Sequence, residues 1–130
     1  MGTIGEVSKS IEEFFQKIPS LQSPTLAQFT LGELRDKKRL WAHHWANKFG
    51  IYLFFQKDQL QYIGRALSKT LAERIWNEET SHDPAWDAVI KDDDTTITVV
   101  SLNLEDAYWA ASLETFLIAR HPNLFNKRIS

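Results

Sequence analysis

Apolar residues near the start of the chain fall at Ile11, Phe14, Phe15 and Ile18, the spacing of a helix with one buried face. Ser10 with Glu13 has the form of a capping box for it, and Pro19 stops it. Residues 19–29, with two prolines and two serines, read as a connector. A second helix is expected from Thr30, with Glu33 completing its capping box, to about Lys48, placing Leu34, Trp41 and Trp45 on one side. The pattern then changes. Residues 51–56 and 60–65 are short aromatic and β-branched runs joined by Lys57–Gln59, a hairpin signal. Thr70 and Glu73 open a helix from Leu71 to about Glu79, and Asp83-Pro84 opens a short one through Ile90. Residues 95–102 (TTITVVSL) are the clearest strand, and residues 104–120 form a last helix that buries Leu113, Phe116 and Leu117. The order predicts an α+β domain with a small three-stranded sheet flanked by helices.

Composition narrows the chemistry. A chain of 130 residues with 43% hydrophobic and 25% charged residues is sized for one globular domain. Cysteine is absent, which excludes a disulfide scaffold, a thiolate metal site and a cysteine nucleophile. No apolar run approaches the ~20 residues of a membrane span, and the first residues lack the pattern of a signal peptide. A cytoplasmic protein without membrane contact is therefore expected. The net charge is only −2, but residues 35–48 carry five bases against one acid, Asp36. Such a segment suits a polyanion as well as it suits a merely solvated helix face.

The hairpin carries the informative letters. Gly50-Ile51-Tyr52 opens its first strand and Tyr62-Ile63-Gly64 lies in its second. Arg74 follows on the next helix, and residues 114–126 (ETFLIARHPNLFN) place Glu114 twelve residues before Asn126. In these elements, and in its β-β-α-β-α order over residues 50–126, the chain resembles the GIY-YIG nuclease family of homing endonucleases, excision-repair incision domains and some restriction enzymes. Residues 50–130 would form that nuclease domain, and residues 1–49 an N-terminal helical extension packed on it.

The resemblance implies metal-dependent hydrolysis of phosphodiester bonds in DNA. Tyr52 would then serve as the base for the attacking water, with Tyr62 positioning water or phosphate. A phenol with a reference pKa of about 10 needs a nearby cation for that task, and Arg65, directly after Gly64, is expected to provide it. Arg74 would hold phosphate oxygens through its planar fork, and Glu114 would ligate one Mg²⁺ or Mn²⁺. Asn126 would orient the metal shell or the phosphate. Lys37, Lys38, Arg39, Lys48 and Lys69 are candidate contacts to the DNA backbone. A homodimer would allow double-strand cleavage.

Three departures from the family pattern bear on catalysis. Arg74 follows Gly64 by ten residues where eight is usual, Glu73 stands before it where a basic residue is often found, and Glu78 stands where a histidine is often found. Two other functions therefore compete. A nucleic-acid-binding module of the same fold without useful catalysis predicts salt-sensitive binding and no Mg²⁺-dependent product. A protein-interaction domain, using exposed aromatics of the first two helices, predicts a complex indifferent to Arg74.

Overall fold

The computed structural model describes residues 2–18, 24–80, 84, 86–123 and 125–126. Their elements are α1 (Ile4–Gln16), β1 (Thr25–Thr30), α2 (Lys37–Ala42), β2 (Phe49–Gln56), β3 (Gln59–Ala66), α3 (Leu71–Glu79), α4 (Asp87–Ile90), β4 (Thr96–Leu102) and α5 (Ala110–Arg120). The strands form one antiparallel sheet in the order β1-β4-β2-β3. Side chains of a strand alternate between faces, and here both faces are covered. Tyr52, Phe54, Tyr62, Ile97 and Val99 pack with Leu40, Ile75 and Val89 on the face that carries α2, α3 and α4. Ile51, Leu53, Ile63 and Val100 pack with Val7, Ile11, Leu113 and Leu117 of α1 and α5 on the other. The α+β architecture is as expected. Among the described residues no helix is long and apolar enough to cross a membrane.

The sheet has four strands rather than the expected three. Thr25–Thr30, at the end of the expected connector, pairs along its whole length with β4. Residues 1–49 thus contribute a strand as well as helices to the fold. The expected helix from Thr30 to Lys48 is broken. Thr30 and Glu33 do make their reciprocal cap, but it closes only a 3-10 turn over Gly32–Leu34. The amides of Leu31 and Gly32, which a helix starting here would leave without partners of its own, donate to the carbonyls of Thr95 and Asp93. The chain restarts at Asp36, whose side chain caps the Lys38 amide at 2.9 Å, and α2 ends when His43 turns extended.

α1 begins earlier than its apolar stripe indicates, because Thr3 and Glu6, not Ser10 and Glu13, form the capping box. Ser10 lies inside the helix and its Oγ meets His121 Nε2 at 2.8 Å. The last helix also divides, into a 3-10 turn over Leu104–Trp109 followed by α5. Pro19 and Asp83 lie outside the described residues; the short helix expected after Asp83 spans Asp87–Ile90.

The β2–β3 hairpin sets the positions of the motif side chains. Lys57 and Asp58 both have positive φ (51° and 57°), which makes a two-residue turn whose twist suits the flanking strands. Phe55 pairs with Leu60 and Phe54 with Tyr62, leaving Gln61 as an unpaired extra residue. This bulge reverses the alternation. Leu60 faces α5, whereas Tyr62 faces α3 beside Tyr52. The two motif glycines are required by close approaches. A Cβ on Gly64 would lie 2.2 Å from Cζ of Tyr52, and one on Gly50 (φ +151°) would lie 2.0 Å from the Val100 carbonyl oxygen.

Gly64→Ala is expected to lower stability by about 1–3 kcal/mol, because the fully buried Tyr52 ring has no room to withdraw. A urea midpoint that falls at unchanged slope checks this. A second prediction concerns Glu79, at the end of α3. Both its carboxylate oxygens are buried without a hydrogen-bond partner, and burial pushes its pKa to about 7 against the pull of Arg35. The folded state therefore holds that proton more tightly than the unfolded chain, with its ordinary value near 4.5. The resulting stability is full below pH 4.5 and is lost as pH rises through 7. Glu79→Gln should stabilise the protein at pH 8 and flatten its pH–stability curve over that window, as thermal melts would read out.

Candidate active site

β3 is an outer strand, and a pocket of about 330 Å³ straddles it between α3 and α5. Tyr62, Arg65, Arg74, Glu114 and Asn126 all line this pocket, with Ile63 and Ile118. Five of the six expected site residues, drawn from two strand positions, two helices and the C-terminal segment, thus meet in one place. Tyr52, the sixth, lies behind it. Its ring stands 6.2 Å from that of Tyr62, across Gly64, and has no exposed surface.

The tyrosines and Arg74 form the half of the site on the α3 face. Burial pushes the Tyr52 hydroxyl well above the ordinary phenol value; the Glu78 carboxylate and then Tyr62 add to this, while Arg74 opposes it. The Tyr62 hydroxyl is raised by burial and then by Glu78, again against Arg74. Tyr52 Oη and Arg74 Nε are both buried without a partner at hydrogen-bond geometry. Arg74 is nonetheless the cation beside the phenols. Sequence reasoning missed how closely Glu78 couples to them. Its position one turn after Arg74 was the available signal, and burial raises its own pKa against Arg74.

Glu114 and Arg65 form the other half. Alternation sends Arg65 toward α5, where its Nη1 meets Glu114 Oε1 at 3.4 Å. The expectation that Arg65 supplies the field for Tyr52 is therefore corrected, since Arg74 occupies that role and Arg65 partners the carboxylate. Glu114 is largely buried, with 18% of its side chain exposed. Burial raises its pKa, opposed by Arg65 and then Arg74.

Asn126 has a partner for each end of its amide. Its Oδ1 accepts from the Ile63 amide and its Nδ2 donates to the Ile63 carbonyl, each at 2.9 Å. Asn123 Nδ2 donates to the same Oδ1 at 2.7 Å, and Asn123 Oδ1 accepts from the Asn126 amide. The side chain thus closes the outer edge of β3 in the place of another strand.

The five candidate DNA-contact residues do not line this pocket. Lys37, Lys38 and Arg39 are exposed on α2, Lys48 precedes β2 and Lys69 precedes α3. The carbonyls of Lys48 and Ala46 accept the amides of Leu71 and Ala72, fastening the first of these loops to the start of α3.

No model of a protein family matches the chain, and no curated protein does. Among solved structures, the chain is similar to the magnesium-bound GIY-YIG N-terminal endonuclease domain of UvrC from Thermotoga maritima. The two are 25% identical over 68% of this chain and 94% of that one, with a TM-score of 0.49. A tyrosine-to-phenylalanine mutant of the same domain, bound to the catalytic divalent cation, matches at 23% identity, 67% and 89% coverage and the same score. Overlaps this loose fix neither a family nor a reaction for this chain.

The amide clamp at Ile63 is directly testable. Asn126→Ala would strip partners from a buried backbone N–H and carbonyl at once, and is expected to cost about 1–3 kcal/mol. Hydrogen exchange at the Ile63 amide should accelerate correspondingly. An unchanged exchange rate would return Asn126 to a purely chemical role.

Proposed function

We propose that the chain is a GIY-YIG-type endonuclease that hydrolyses phosphodiester bonds in DNA with one divalent cation. The observation that carries this reading is the convergence of Tyr62, Arg65, Arg74, Glu114 and Asn126 on one pocket from positions spread over 64 residues of chain. Glu114 fits a hard cation. It is a largely buried carboxylate whose ion-pair partner, Arg65, stands at the long distance of 3.4 Å. No cluster of three acidic, histidine or cysteine side chains gathers among the described residues. Glu114 would therefore be a single protein ligand, with water and phosphate oxygens completing the shell, as Mg²⁺ or Mn²⁺ tolerates. Bound there, the ion supplies positive charge to the oxygens of the scissile phosphate.

The chain's own residues do the rest. Arg74, held between the phenols and the pocket, clamps the non-bridging oxygens. Tyr62, which lines the pocket, holds the attacking water; as its oxygen takes the water's proton, its own proton passes to Tyr52, which lies behind it without exposed surface. Phenols are ordinarily protonated at neutral pH, and burial and then Glu78 hold these two still further from ionising. The active fraction is therefore small and grows with pH. A single site of this kind cuts one strand, so double-strand cleavage calls for a second copy or a second event. Glu78 beside both phenols also favours a second reading, a binding module of the same fold that does not cut.

Incubation of supercoiled plasmid and branched DNA with Mg²⁺ or Mn²⁺ separates the two. Nicking is expected, and should vanish in EDTA and with Glu114→Ala; Tyr52→Phe should cost about 10²–10⁴-fold. The rate should climb about tenfold per pH unit between 7 and 9 with no plateau, and Glu78→Gln should raise it at pH 7.5. Binding without any metal-dependent product would establish the non-cutting module. A rate lowered by Glu78→Gln would make Glu78, and not Tyr52, the proton acceptor.

A further inference from the structure

α3 has two working flanks. Arg74 and Trp76 are two residues apart, hence about 200° apart around the helix axis. Arg74 lines the pocket at the β3 edge, while Trp76 meets Trp41 of α2 edge to face at 6.3 Å. Both indoles are partly exposed. The Lys37 ammonium stands 5.5 Å from the Trp41 ring centre and 5.7 Å from that of Trp76. Beside them opens a broad, shallow pocket of about 740 Å³, lined by Asp36, Lys37, Lys38 and Trp41. Its described lining thus combines one indole with two lysines, and Arg39, next along α2, is exposed. The Asp36 carboxylate is engaged with the Lys38 amide.

We propose that this pocket takes an unpaired base of the nucleic acid, stacked on Trp41, with the flanking phosphates on Lys37 and Lys38. Indole faces hold bases of any identity by stacking, and lysines supply the salt-sensitive backbone contact. A base inside an intact duplex has no free face to offer. The substrate is therefore single-stranded, gapped or branched DNA, with its unpaired nucleotide about one helix diameter, ~10 Å, from the cleft. This inference rests on the endonuclease reading and specifies its substrate class.

The test is fluorescence anisotropy with a labelled dT oligomer and with a duplex of equal length, in EDTA and low salt, using the full chain. The wild type should favour the single strand. Trp41→Leu, which keeps apolar bulk, should weaken single-strand binding about tenfold and leave duplex binding within twofold. Trp41→Phe should keep most of the preference. Lys37→Ala should weaken both forms alike and lower the salt dependence by about one ion. No single-strand binding, or a Trp41→Leu protein indistinguishable from wild type on both probes, would overturn the proposal, as would equal losses on the two. Plasmid nicking is scored separately. Nicking without any Trp41 dependence rejects the stacking site alone, and a Trp41-dependent preference without nicking rejects the reaction alone.

Discussion

Strand side chains alternate strictly, so the unpaired Gln61 decides which face of the sheet carries the chemistry. Without that extra residue Tyr62 would follow Leu60 onto the α5 face, and the two phenols would be separated by the sheet. With it, Tyr62 joins Tyr52 on the α3 face, and Gly64 leaves the gap into which the Tyr52 ring lies. Arg65, one residue on, is sent to the opposite face and reaches Glu114. The pocket can then collect groups from both faces only by wrapping the outer strand.

Charge within the site is divided by the same geometry. The α3 side sets one guanidinium against the Glu78 carboxylate and two buried phenols, and the α5 side sets Arg65 against Glu114. Each carboxylate is raised by burial and lowered by an arginine, so neither settles as an ordinary exposed acid. The site therefore holds the protons of both carboxylates more tightly than an exposed surface would. Anions and cations entering it meet groups whose ionisation they can shift.

Local chemistry was legible wherever a short segment determined its own structure. Thr70 and Glu73 predicted α3, the β-branched run of residues 95–102 predicted β4, and the motif letters named the five groups that now line one pocket. Long-range constraints were not legible. The strand at Thr25–Thr30 is only half hydrophobic and owes its form to pairing with β4. The Thr30–Glu33 cap was real, yet the turn that it opens ends at Leu34 and the chain restarts at Asp36. The role of Asn126 was hidden for the same reason, since its partner is a backbone 63 residues away. Arg65 stands three residues after Tyr62, so alternation alone places it on the opposite face; what the sequence did not reveal is that Glu114 meets it there.

The Asn126 clamp has a consequence beyond the cleft. An outer strand is an invitation to further strands, and sheets that leave one open risk adding a neighbour's chain. Asn126 fills the bonding positions of Ile63 with a side chain that cannot be extended. Any strand adding itself along β3 must first evict this amide, which also lines the pocket. At Ile63 one side chain thus both occupies the strand edge and lines the cleft, so that losing it would disturb the two together.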